Sequence, residues 1–518
     1  MNRSLKLAIV SLLVVCASQN VAISQDASDF PGLILDLSRT NNSGSARILG
    51  LGGAQTAIGG DISSVSSNPA GLGFFNRSEF SFSAQFNGLN TSSDYLNTTV
   101  EDSRLNFNIP NLGAVINTAK SKGKWKSQSF GVSLNRTADF QNQVTYEGLN
   151  SNYDFIRYAV QQDNLDGFTD LTDLAFEVDL TTTVDFTYNG ESEIVIDDQL
   201  FPVEDVFGRI PNIGETLELT ERNIFDVNTG ELGYPNEEFP VQTQENIDVR
   251  GASYQFSIAY GANYDDKVYL GGSIGIASFN KEVERLLIER PTETDLNELR
   301  LLDEYEQSGI GINGTLGVII RPIDQILLGA SYTTPTYYSA SQIQEIELSA
   351  FYNTGDIFSE GIIYEDFDYN ITTPSRLKGG VTAFLNKSGF ITAEVERINY
   401  SGANLSQPSD GFSFSEENNT IDRFNNALNY RLGAEFRYQI FRVRGGFAYI
   451  EDPVENNLEQ DETQFSFGLG IRKRKYYGDL AIVHSDGFAN RISPYPGAPQ
   501  AVVEQNTTRV TLTVGVNF

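Results

Sequence analysis

The sequence predicts an all-β fold, a transmembrane antiparallel β-barrel of about fourteen strands with a small N-terminal plug in the lumen. Three observations predict it. Period-two alternation recurs along the chain, while helical periodicity is nearly absent. Beyond the first residues no apolar run approaches the roughly 18 that a spanning helix needs, so any membrane form must be a closed barrel. The links between strands alternate between short and long, as expected when two rims face different compartments.

Taken in order, residues 1–24 read as a signal peptide. Arg3 and Lys6 supply its positive start, the segment 7–15 its apolar core, and Ala22-Ile23-Ser24 its cleavage site. A lipidated Cys16 is the alternative, disfavoured by Val14 and Val15 before it. Cys16 is the single Cys and His484 the single His, which removes thiolate catalysis and most metal chemistry. No cofactor or metal ligand set is expected. The net charge of −32 argues against nucleic-acid binding. It leaves open whether the acidity only solvates exposed segments or also binds cations.

Residues 25–78 form the expected plug domain. Its centre, the stretch 48–75 (ILGLGGAQTAIGGDISSVSSNPAGLGFF), holds too many Gly, Ala and Ser for a strand or a long helix. Asp61 can cap one short helical turn, which Asn68-Pro69 ends. A compact knot of small residues results, and its start is placed at the short-turn rim. Gly50, Gly52, Gly53, Asp61, Asn68, Pro69, Ala70 and Gly71 are its candidate site residues.

The barrel is expected over 79–518. Phe80, Phe82, Ala84 and Phe86 share one face, with Ser81, Ser83 and Gln85 on the other, and the pattern recurs to the C-terminus. Strands are read at 79–88, 105–117, 128–137, 250–261, 267–279, 308–321, 326–337, 373–385, 389–399, 427–438, 441–450, 463–473, 477–484 and 507–518. Long acidic loops are expected over 89–104, 138–249, 280–307, 338–372, 400–426, 451–462 and 485–506. The largest, 138–249, has room for a strand pair near 176–188. Tyr332 with Tyr337 and Tyr338, and Tyr476 with Tyr477, fit interfacial girdles. Val510, Leu512, Val514, Val516 and Phe518 alternate to a terminal aromatic, similar to the signal read by outer-membrane assembly machinery.

Charge on the lumen faces of neighbouring strands gives a second candidate group: Glu394, Glu396, Arg431, Glu435, Arg437, Arg442 and Arg444. If Gln439-Ile440 is a two-residue turn, Glu435 opposes Arg444 and Arg437 opposes Arg442. The first is an ion pair; the second needs a carboxylate nearby. Such a cluster either seats the plug or contacts a ligand head group. No catalytic residue is expected: His484, Ser485 and Asp486 alternate across a strand and cannot form a triad.

The run GLGGAQTAIGGDISSVSSNPAGLGFF resembles the N-terminal hatch of the FadL/TodX-type outer-membrane transporters of hydrophobic compounds, ending like it in Asn-Pro-Ala. The stretches 129–140, 258–276, 372–401 and 430–453 are similar to the same family. The resemblance implies a Gram-negative outer-membrane barrel of fourteen strands, closed by the hatch. It implies a hydrophobic small-molecule ligand, long-chain fatty acid or aromatic hydrocarbon, passed on by hatch rearrangement and released laterally beside a kinked early strand. Outer-membrane lipid and lipopolysaccharide would surround it. Some FadL-like barrels in the Bacteroidota, which this chain also resembles, instead serve protein secretion or surface-protein attachment, the alternative partner class.

Overall fold

The computed structural model describes residues 30–39, 43–119, 123–151, 240–292, 296–407, 413–454 and 461–518, with short pieces between 154 and 220. The expected signal peptide lies outside the described residues. Among those described, no helix is long and apolar enough to cross a membrane.

Fourteen strands form the wall: β1 (Glu79–Tyr95), β2 (Thr98–Ala119), β3 (Trp125–Asp139), β4 (Val241–Tyr264), β5 (Val268–Pro291), β6 (Leu296–Ile323), β7 (Ile326–Thr333), β8 (Arg376–Phe384), β9 (Gly389–Asn399), β10 (Asn426–Tyr438), β11 (Phe441–Ile450), β12 (Glu462–Arg472), β13 (Tyr476–Ile492) and β14 (Ala501–Asn517). Each pairs antiparallel with the next, and β14 pairs back onto β1, so the barrel is closed. Closure removes the sheet edges that would otherwise template association. Phe80, Phe86, Leu512 and Val514 face outward and are exposed, whereas Ser81, Ser83 and Gln85 face inward and are buried.

Several expected loops are strand instead. The segment 89–104 is the upper part of β1 and β2, closed by Leu96 and Asn97, both at positive φ, as a tight hairpin turn requires. Within 280–307, residues 280–291 continue β5 and 296–307 continue β6, which reaches 28 residues. Alternation persists there, but the outward positions become acidic: Glu282 faces Glu306 across the ladder and Glu284 faces Glu304. With an acidic outward face and an inward face that mixes Lys281 and Asp303 with Val283 and Leu287, the extensions lack the apolar-outward signature of a spanning strand. Likewise 338–372 holds a hairpin, Tyr337–Tyr352 with Ile357–Thr372, which carries β7 and β8 upward past breaks at 334–336 and 373–375. Within 138–249, Asn142–Asn150 pairs with β4, and Thr181–Val184 pairs with Leu217–Thr220; Phe176 and Tyr188 lie outside the described residues. Tyr338 and Tyr477 leave the expected girdles, because each follows an outward Tyr and so turns inward, to 6% and 8% exposure.

The N-terminal segment fills the lumen with α1 (Phe30–Ser38), α2 (Ala46–Leu49), α3 (Ser64–Ser67) and a 3-10 turn, Pro69–Phe74. The knot 48–75 starts in the short-turn half, where Ala46 N donates to Thr513 Oγ1 at 2.7 Å, but the chain ahead of it does not. Helix α1 packs Phe30, Leu33 and Ile34 against Phe279, Tyr338, Tyr369 and Phe414 in the long-link half of the barrel, and the chain then descends to β1. A last helix, α4 (Ser415–Ile421), covers this cluster through Ile421.

Candidate functional site

The hatch is shaped by its small residues. Gly52 and Gly53 adopt φ of +67° and +80°, which turns the chain sharply after α2. Asp61 does not cap α3, whose N-cap position is Ser63. Its carboxylate accepts from Ser63 N at 3.1 Å and Ser45 Oγ at 2.9 Å, tying two passes of the hatch together. Asn68 ends α3 with φ −148° and ψ 94°, and its Oδ1 accepts from Ala70 N at 3.2 Å to start the 3-10 turn. Asn68 Nδ2 donates to Thr56 O at 2.6 Å. Pro69, which has no N–H to lose, occupies the first position of that turn.

The wall receives the hatch on glycines. A Cβ at Gly317 would overlap Asn68 Oδ1, one at Gly271 would overlap Pro69, and one at Gly446 would overlap Gly52 N. Gly261, Gly329 and Gly433 are met in the same way by Pro69, Thr56 and Leu51. Backbone therefore packs on backbone around much of the circumference. An isolated Gly within an alternating strand is a sequence signal for close backbone approach, one that the pattern reading passed over.

The charged candidates separate into two groups and one outlier. Arg431 donates to Glu394 at 3.1 Å and to Glu396 at 2.8 Å, and Lys378 Nζ lies 3.3 Å from Glu396. The other oxygen of Glu394 accepts the N–H groups of Gln55 and Thr56, each at 2.8 Å, so this group holds the hatch directly. Arg444 donates to Glu435 and to Asp479, both at 2.7 Å, and Arg437 Nε donates to Glu435 at 2.7 Å. Arg47 of the hatch stands between Asp61 at 3.6 Å and Glu435 at 3.8 Å. The register places Glu435 opposite Arg444 and Arg437 opposite Arg442, as expected. Arg442 joins neither group and donates to the carbonyls of Gln439 and Phe441 at the turn. His484 is exposed with its Nδ1 3.0 Å from Thr508 Oγ1, while Ser485 turns inward.

One space adjoins the hatch and a second lies at the wall. The inner one, of about 140 Å³, is polar, lined among others by Gln55, Ser66, Asn135, Asn313, Lys378 and Arg431. An apolar cavity beside Asn68 is what uptake of a hydrophobe leads one to expect. The apolar chamber lies higher instead, and α1 occupies it. Asp36 pairs with Lys281 at 2.7 Å and Arg39 with Asp452 at 3.0 Å, while Arg376 donates to Ser38 O at 2.7 Å. Burial lifts the Asp452 carboxyl above its ordinary range, against the pull of Arg39.

The second space, of about 480 Å³, lies at the wall where β2 parts from β3. β2 pairs with β3 only from Asn111–Asn135 downward. Just above, Pro110 lacks the N–H a ladder needs, and the β1–β2 register shifts there. The continuation of β3 leans inward, with Thr91 donating to Gln143 O and Arg104 to Asn142 O. Asn106, Phe107, Asn108, Arg136 and Tyr254 line the resulting gap. None of these stood out in the sequence, although Pro110 was a usable signal.

No family model and no curated protein matches the sequence. Solved structures match it by fold. The Pseudomonas putida toluene transporter TodX is similar over 93% of this chain and 100% of its own, at 14% identity and a TM-score of 0.51. A Pseudomonas aeruginosa FadL homologue is similar over 93% and 100%, at 10% identity and a TM-score of 0.54. The chain shares the FadL/TodX fold. In that fold, closed walls surround an N-terminal segment, which is the relation between β1–β14 and residues 30–75 found here.

Proposed function

We propose that this chain is a Gram-negative outer-membrane protein that takes up hydrophobic small molecules through a plugged barrel, without enzymatic chemistry. The observation that carries this reading is the wall gap between β2 and β3. A lumen stoppered by hatch backbone offers no straight aqueous path, whereas the gap is lined by Phe107 of the outward face and by Phe279, which packs in the aromatic cluster around α1. A hydrophobe entering from the long-link side would displace α1, a rearrangement of the N-terminal segment, and leave laterally without crossing the polar hatch. Gly50, Gly52, Gly53, Asp61, Asn68, Pro69, Ala70 and Gly71 would act as the seal, and the Glu394–Arg431 and Glu435–Arg444 groups as its seat. The outward apolar band would contact membrane lipid and lipopolysaccharide, and Phe518 would address the chain to the assembly machinery. TodX is a toluene transporter by description, and a ligand of that class fits the reading.

The test is uptake of radiolabelled toluene and palmitate by cells lacking their own uptake barrel. Ala252→Trp fills the gap from its lining. Uptake should fall roughly tenfold with the barrel assembled, since a closed gap removes the exit. Unchanged uptake refutes lateral release.

One observation favours the second reading, a barrel that docks a secreted or surface-attached protein: the upper lumen is filled by α1 and not empty. Native purification with lipid mass spectrometry separates the two. A bound hydrophobe supports uptake, and co-purified secretion components without one support docking.

A further inference from the structure

Beyond the breaks at 334–336 and 373–375, the upper hairpin ends in an open sheet edge. The strand Ile357–Thr372 pairs on one side with Tyr337–Tyr352. On its far side, among the described residues, it pairs only at Asn370–Thr372, with Asn404–Ser406. The backbone of 357–363 therefore turns alternate N–H and C=O groups outward from the sheet, and Ile357 and Ile363 are 64% and 65% exposed. Natural edges are blunted by Pro, Lys or a bulge. The run IFSEGII holds neither Pro nor Lys, carries the single charge of Glu360, and keeps an unbroken register with 345–351. From inside, Leu348 and Ala350 pack with Leu287 and Leu299 and hold the hairpin in place.

The neighbouring charges restrict what can pair there. On the outward face Glu345 stands opposite Ile363 and Glu347 opposite Gly361. Glu345 also faces Glu304, which faces Glu284, so one sign of charge runs across three strands. Partial burial, and then the like charges of Glu284, Glu345 and Glu347, raise the Glu304 carboxyl above its ordinary range. Arg300, opposite Ser349, is held by Glu298 and Phe351 and does not answer them. Ser359 Oγ donates to Glu347 at 2.7 Å, which draws that carboxylate toward the edge. Gly361 puts no side chain in the way, so a long basic side chain on an added strand reaches Glu347 across two strand spacings, about 10 Å. On the inner face the edge offers Phe358, also exposed, beside the half-buried Ile362.

We propose that the edge 357–363 docks an extended segment of another protein, which adds a strand and alternates Lys or Arg with apolar residues. Its basic side chains would lie beside Glu345 and Glu347, and its apolar ones over Phe358 and Ile362. Backbone pairing supplies the adhesion and the alternating side chains the selectivity. A second copy cannot supply that strand in the antiparallel sense the hairpin uses, because two copies in one membrane stand the same way up and their edges run in the same direction. The inference rests on the outer-membrane placement proposed above and not on uptake.

The test uses the full chain purified in detergent, with a labelled peptide of alternating Val and Lys as the probe. Wild type should bind it, more weakly as salt rises, and amide hydrogen exchange should slow within 357–363. Glu345→Gln combined with Glu347→Gln should weaken binding roughly three- to tenfold, the worth of two exposed charge pairs. The same peptide with Glu for Lys should not bind. Methylating the backbone nitrogens of one alternate set of peptide residues should abolish binding, and methylating the other set should spare it, because an added strand bonds along one of its edges. Heat-modifiable gel migration verifies that the double variant is folded. No binding by wild type, or binding indifferent to the two substitutions or to methylation of either set, overturns the proposal. Protection of 357–363 by self-association without peptide gives the edge to a second copy and overturns it too. Uptake of toluene and palmitate is measured separately, so failure here leaves the uptake reading standing.

Discussion

At the scale of the residue, Arg431 decides between seat and ligand contact. Both its partners, Glu394 and Glu396, are buried, and Glu394 also holds two hatch N–H groups. Arg431→Ala would take the guanidinium from buried Glu394 and leave Glu396 to Lys378 at 3.3 Å and Arg376 at 3.8 Å, at a cost of about 3–5 kcal/mol, so thermal melting should fall and uptake of acidic and neutral ligands should drop together. A selective loss of acidic ligands would instead make Arg431 a ligand contact. Gly317 tests the hatch contact from the wall side. Gly317→Ala drives a methyl into Asn68, whose side chain joins Thr56 to the 3-10 turn, and should cost about 1–3 kcal/mol and raise permeability to small sugars. Gly379→Ala, with nothing within 4 Å, is the control and should change neither quantity.

At the scale of the element, α1 is the part the sequence did not disclose. Its nine residues are too few for periodicity to stand out, and its helical state depends on tertiary burial of Phe30, Leu33 and Ile34. The strands were legible because alternation is local, and so were the two-residue turn at Gln439-Ile440 and the Glu435–Arg444 pair it fixes. What alternation could not show was where strands end once the outward face turns acidic, as in β5 and β6, or where β3 leaves β2. The hatch was legible as a knot of small residues, but the glycines that receive it are scattered over ten strands and only closure aligns them. Deleting residues 30–38 should empty the apolar chamber and raise binding of a hydrophobic fluorophore such as N-phenyl-1-naphthylamine severalfold, because about 5–8 kcal/mol of side-chain burial no longer competes. Unchanged binding would show that the helix excludes nothing.

For the whole molecule, the question is whether wall and hatch fold as one body or two. The fourteen wall pairings include no residue of the hatch, so the ladder closes without it. The inner surface is polar, with Ser81, Ser83, Asn135, Ser257 and Thr511 buried against the hatch or one another, and water can replace what the hatch supplies. The charges follow the same rule: Arg431 keeps Glu394 and Glu396, and Arg444 keeps Glu435 and Asp479, all on the wall. Removing residues 50–67 therefore strands no buried ion of the wall and leaves Arg47 of the hatch, which loses Asp61, with Glu435 at 3.8 Å; stranding a wall charge is the event that would endanger assembly. The deletion should give a heat-modifiable, membrane-inserted barrel whose liposomes swell in small sugars, whereas wild-type liposomes stay tight. A deletion that fails to assemble would make the hatch part of the folding core, and an assembled barrel that stays tight would move the seal to α1 and the upper wall.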